Sequence, residues 1–115
     1  MVNDHKSNYI PDKGDIVWLN FSPQKGKEQK GHRPALVITG KRYNQYGLCL
    51  ACPITSKIKG HLFEVKVSVK NTPGAVLVNH IKAQDWRERD IQFINKVNKE
   101  TLKLVKQQLM VLMEI

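Results

Sequence analysis

The segment Gly47–Thr55, "GLCLACPIT", constrains the fold more than any other stretch. It carries no charge, and among its side chains only the closing threonine is an ordinary hydrogen-bonding group. Successive side chains of a strand point to opposite faces, so a strand apolar throughout needs cover on both. The other segments read as shorter strands. "GDIVWLNF" (14–21) sets Ile16 and Trp18 on one face and Val17, Leu19 and Phe21 on the other. "RPALVIT" (33–39) is a mostly buried strand, and "GKRYNQYG" (40–47) is a turn with a glycine at each end. "HLFEVKVSV" (61–69) alternates as a strand with one wet face. "NTPG" (71–74) breaks it, and "AVLVNHIKA" (75–83) follows as another strand. A further short strand is expected near Asp90–Ile94.

The period then changes. Asn98 suits a helix cap, with Glu100 in the first turn. Leu102, Val105, Leu109 and Leu112 recur at helical spacing. Several short strands and one amphipathic helix define a mainly β fold with a C-terminal α element. The expected form is a small, strongly bent antiparallel sheet or barrel, with the helix covering one opening or side.

At 115 residues the chain is expected to be one domain, residues 1–115, with a flexible N-terminal extension over 1–8. There is no repeat, linker or low-complexity tract. Two cysteines make no disulfide framework. The first residues hold no apolar signal core, and no apolar run approaches a membrane span. A soluble cytoplasmic protein is expected.

The net charge of +9 is unevenly placed. Residues 24–70 carry ten Lys or Arg against Glu28 and Glu64, a net +8. Such a field favours a polyanion such as nucleic acid, although a lysine-rich solvated surface reads the same way.

Several chemistries fail on spacing. Cys49 and Cys52 have the interval of a zinc pair but no second pair. They also fall within one strand, where positions three apart face opposite sides. A helix-opening redox motif fails for the same reason. "GKEQKG" has no Gly-Lys-Ser/Thr and precedes a strand, so it is no phosphate loop. No serine or cysteine has a nucleophile's surroundings, and no metal or cofactor is expected.

Attention turns to "QKGKEQKGHRPALVI" (24–38), a charged, glycine-laced loop running into a strand. Pro34 forces Arg33 into an extended conformation at the strand mouth, where its guanidinium could clamp a phosphate. The plain alternative is a strand-edge arginine paired with Glu28. Thr55 and Ser56 end the "CLACPIT" strand, followed by Lys57. If the two strand ends meet, a guanidinium and hydroxyls converge on one spot suited to a phosphoryl oxygen. Phe21, Tyr43 and Tyr46 offer rings on which unpaired bases stack, whereas Trp18 and Trp86 read as core or interface.

These motifs, in order, are "PDKGDIVWLNFSPQKGKEQKGHRPALVI", "YNQYGLCLACPIT", "FEV" and "VLVNHIKAQDWRER". From Tyr9 to the C-terminus the chain resembles the MazF/PemK family of toxin–antitoxin ribonucleases. The resemblance implies an SH3-like barrel with a C-terminal helix, acting as a homodimer. It also implies sequence-specific, metal-independent cleavage of single-stranded RNA, leaving 2′,3′-cyclic phosphate and 5′-hydroxyl ends. Arg33 and Thr55 correspond to the family's catalytic residues. Glu28 and Gln29 correspond to the loop Glu-Gln that helps bind RNA and, in some members, assists catalysis. Asn79, His80 and Lys82 correspond to polar and basic positions at the RNA groove. Many members carry glutamine where this chain has His80, so no cleavage sequence is carried over. Phe21, Lys27 and Ser56 are further expected RNA contacts.

The family also implies a cognate antitoxin whose acidic, disordered tail lies along the groove. Such a tail would neutralise the basic midsection and fold as it binds. Direct binding to DNA is not expected without it. Two rivals remain: a CcdB-type toxin on the same barrel, which binds a DNA gyrase subunit through its C-terminal helix, and an RNA-binding barrel without chemistry.

Overall fold

The computed structural model describes residues 8–20 and 32–115. Apart from Asn8, the expected N-terminal extension therefore lies outside the described residues. Among the described residues, seven strands are joined by antiparallel pairing: β1 (Asp15–Asn20), β2 (His32–Val37), β3 (Leu48–Thr55), β4 (Glu64–Val69), β5 (Thr72–Leu77), β6 (Lys82–Asp85) and β7 (Gln92–Lys96). A short helix α1 (Lys41–Asn44) precedes β3, and α2 (Lys99–Met113) closes the fold. The strand order is β4-β5-β3-β2-β1-β7, with β6 also on β3, and the sheet curls into a half-barrel.

β3 is the spine, as its composition requires. Its first half pairs with β6, Leu48 to Ala51 against Asp85 to Lys82. Its last two residues pair with β5, Ile54 with Val76 and Thr55 with Ala75. Both faces feed cores. Ile16, Leu36, Cys52, Ile54 and Val76 belong to one buried cluster, and Val17, Leu19, Val37, Cys49 and Ala51 to the other. Neighbours along each strand thus part to opposite sides, as the period of two demands. Val105 of α2 is fully buried in the first cluster, with Leu109 packed beside it. That one burial stabilises by roughly 1.5–3 kcal/mol. Leu112, expected on the same stripe, is 39% exposed. Trp86 is a core residue, 4% exposed.

Three local readings are corrected. The expected turn over 40–47 contains α1, pinned by the fully buried Asn44. Its Nδ2 donates to the carbonyls of Pro11 and Thr39, each at 2.7 Å, and its Oδ1 accepts from Thr39 Oγ1 at 2.6 Å. Next, the chain reverses at Lys70–Asn71 rather than across "NTPG". Both residues have positive φ (51° and 69°), the pattern of a two-residue hairpin turn that matches strand twist. Thr72, Pro73 and Gly74 then belong to β5. Pro73 pairs with Ser68 beyond the reach of β3, so the N–H it lacks is not needed there. Finally, "AVLVNHIKA" is two strands, split by a 3-10 turn over Val78–His80.

The expected strand near Asp90–Ile94 is present two residues later, as β7. Gly14 and Asp15 anchor the start of β1. The Asp15 carboxylate is buried and accepts from Tyr9 Oη (2.6 Å), the Asp12 N–H (2.9 Å) and Lys96 Nζ (2.6 Å). Burial, together with the hydrogen bond to Asp15, pushes the Tyr9 hydroxyl's pKa well above its usual range.

Candidate active site

The register of β2 on β3 carries the argument. Ala35 faces Pro53 and Leu36 faces Cys52. Continued by two residues, the same register sets Arg33 opposite Thr55. Both then lie on the same face of their strands. Arg33, Thr55 and Ser56 line one open groove of about 600 Å³. Arg33 also pairs through its backbone with Leu19 of β1, so strands on both sides hold its position.

Thr55 is half-buried, while Arg33 and Ser56 are exposed. Thr55 Oγ1 accepts a hydrogen bond from the backbone N–H of Lys57 at 3.0 Å. A hydroxyl has one proton and two lone pairs. With one lone pair engaged, the hydroxyl keeps its proton for an incoming acceptor. The hairpin between β4 and β5 forms the opposite wall, through Lys70, Thr72, Pro73 and Gly74. Trp18, Pro34, Ile54, Val69 and Ile94 supply apolar surface. Three cations, Arg33, Lys57 and Lys70, line the groove, and no carboxylate does among the described residues. Its field therefore attracts an anion, and its partly apolar walls strengthen that field.

The other expected site residues divide into three groups. Asn79 and His80 are exposed on the 3-10 turn, and Lys82 opens β6 opposite Ala51. Ala51 lies four residues before Thr55, about 13 Å along the strand, and none of the three lines the groove. Phe21, Lys27, Glu28 and Gln29 lie outside the described residues. Tyr43, on α1, and Tyr46, two residues after it, are exposed at the opposite end of β3 from Thr55. The sequence reading missed Lys70 and Gly74 and assigned Trp18 to core or interface. The signal for Lys70 was the β4–β5 hairpin itself, once its turn is placed at Lys70–Asn71.

The cysteines take no part. Cys49 and Cys52 fall in different cores, and burial pushes each thiol up to about 12. At neutral pH neither supplies a thiolate nucleophile or ligand.

Comparison with known proteins matches residues 12–113 to the family described as PemK-like, MazF-like toxin of type II toxin–antitoxin system. The endoribonuclease toxin MazF of Escherichia coli K12 is 42% identical over 107 residues, 92% of this chain and 96% of that protein. The endoribonuclease toxin ChpB of the same strain is 36% identical over 84 residues, 68% of this chain and 72% of its own length. Among solved structures, a MazE–MazF crystal structure (Form-II) from Deinococcus radiodurans superposes with a TM-score of 0.86 at 42% identity. It covers 93% of this chain and 98% of the matched one.

Proposed function

The chain belongs to the PemK-like, MazF-like toxins of type II toxin–antitoxin systems, and on that premise we propose that it is an endoribonuclease toxin cutting single-stranded RNA at Arg33 and Thr55. The observation that carries the reading is the convergence of these residues, from separate strands, on one cation-lined groove. The names of its relatives support the activity, and the MazE–MazF complexes support a cognate antitoxin that neutralises it. An acidic, disordered antitoxin tail suits the same field that draws RNA.

The reaction is an in-line displacement. The ribose 2′-oxygen attacks the adjacent phosphorus, the bond from phosphorus to the 5′-oxygen breaks, and a 2′,3′-cyclic phosphate and a 5′-hydroxyl result. The 2′-hydroxyl loses a proton and the leaving 5′-oxygen gains one. The substrate carries its own nucleophile, so no divalent ion is required. Arg33 stabilises the charge of the five-coordinate phosphorane with a fixed guanidinium. Thr55 donates its remaining proton in a hydrogen bond to a phosphoryl oxygen, with Ser56 beside it. The Arg33 guanidinium carries only donors and has no site to accept that proton. Glu28, outside the described residues, is a candidate acceptor if it lies within hydrogen-bond reach of the 2′-hydroxyl, and the general base is otherwise left open. Phe21, Lys27 and Gln29 extend the grip on RNA, with Asn79, His80 and Lys82 on a more distant part of its path. The enzyme works in the cytoplasm as a homodimer. The exposed Leu104, Met110, Val111 and Met113 of α2 offer apolar surface for such a partner.

The test is cleavage of a long single-stranded RNA in EDTA by wild type and Arg33→Ala, with cuts mapped by primer extension. Wild type should give discrete cuts. Arg33→Ala should lose about a hundred- to a thousandfold in rate, the usual effect of deleting one preorganised group, while staying folded. Equal rates would remove Arg33 from the chemistry. A folded wild type that makes no cuts would favour a gyrase-binding or purely RNA-binding role.

A further inference from the structure

β5 contributes a glycine to the groove beside the end of β3. Gly74 is buried and follows Pro73. Its φ lies outside the left-handed region, so its backbone imposes no need for glycine. Space does. A Cβ at this position would stand 3.0 Å from Ile54 Cγ2 and 3.1 Å from the Thr55 carbonyl oxygen. Both contacts are tighter than ordinary packing, and one is to backbone. The β3–β5 ladder ends at Thr55 and Ala75, one residue from this point. Beyond it, the close approach of bare backbone holds the strand end. Glycine within a strand is otherwise a weakness, which makes a close backbone approach its physical reason here.

We propose that Gly74 is a positioning residue, setting how far the Thr55 end of β3 projects into the groove. The inference rests on the reading of Thr55 as a hydrogen-bond donor to the reacting phosphate. An added methyl displaces the Thr55 carbonyl by a few tenths of an ångström. The hydroxyl moves with it, because Oγ1 is tied through the Lys57 N–H to the same turn. RNA binding draws on Arg33, Lys57 and Lys70 as well, so the displacement weakens the chemical step rather than the grip.

The experiment is a double-mutant cycle on the full chain, using a single-stranded RNA oligonucleotide that contains one mapped cut. Single-turnover rate, RNA Kd and thermal midpoint are measured for wild type, Thr55→Ala, Gly74→Ala and the double variant. Thr55→Ala should slow cleavage about a hundredfold. Gly74→Ala should slow it about tenfold, in keeping with the sensitivity of rate to sub-ångström placement, with Kd unchanged. The double variant should be no slower than Thr55→Ala, since Gly74 acts only through that residue. Wild-type cleavage by Thr55→Ala would overturn the reading of Thr55 itself. A slow Thr55→Ala beside a wild-type rate for Gly74→Ala would overturn the positioning role alone, as would losses that multiply in the double variant. If Gly74→Ala fails to fold, Ile54→Ala is added to remove the side-chain contact and leave the carbonyl contact. Ile54→Ala alone is the reference, because Ile54 is itself a core and groove residue. A folded Ile54→Ala/Gly74→Ala protein slower than Ile54→Ala supports the proposal. Failure of the double variant to fold where Ile54→Ala folds overturns it, because the glycine then serves the fold and not the site.

Discussion

Cys49 and Cys52 stand three residues apart on one strand and never meet, because the strand turns one into each core. Both thiols stay protonated at pH 8 in the folded chain. Iodoacetamide at pH 8 should therefore leave them unmodified until denaturant exposes them, as mass spectrometry of intact protein would read. The sign of the linkage follows. The unfolded thiols ionise near 9 and the folded ones near 12, so their contribution to stability is lost as pH rises across that window. The opposed cysteines were legible in the sequence, since strand periodicity alone separates them. The approach of Arg33 to Thr55 was legible as a condition, because Pro34 marks one strand mouth and Thr55 the other strand end. Lys70 and Gly74 were not. Their place depends on the hairpin turn falling at Lys70–Asn71 and on that hairpin packing against the end of β3, a tertiary contact that the strand pattern alone does not give.

At the scale of elements, α2 is the plainest case of agreement between local signal and fold. Asn98 Oδ1 accepts from the Thr101 N–H at 2.8 Å, satisfying one of the helix's free amides. Asn98→Ala should lower unfolding free energy by about 1 kcal/mol, measured by urea denaturation. A loss near zero would mean that packing through Val105 alone holds the helix end. The strands β1, β2, β3 and β4 were equally readable from apolar runs and alternation. The break at Val78–His80 was not, because "AVLVNHIKA" contains no glycine or proline to announce it. Tertiary pairing decides there: β5 finishes on β4 while β6 begins on the other half of β3. The same competition makes α1 a helix, through the buried hydrogen bonds of Asn44 rather than through propensity.

For the whole molecule the dominant quantity is the +9 charge, concentrated in the segment that supplies the groove's cations. RNA affinity should fall steeply with salt. Lys27→Ala should reduce the slope of log K against log salt by roughly 0.7, the value for one phosphate contact on a single strand. An unchanged slope, read by fluorescence anisotropy, would remove Lys27 from the RNA path. No helix among the described residues is long and apolar enough to cross a membrane. The groove itself draws on β1 through Trp18, β2 through Arg33, β3 through Thr55, the following hairpin through Lys70, and β7 through Ile94. Domains fold as units as they leave the ribosome. A nascent chain therefore has no complete groove until β7 has emerged. Under the proposed activity, the ribosome must read the message through β7 before the enzyme able to cut messages exists.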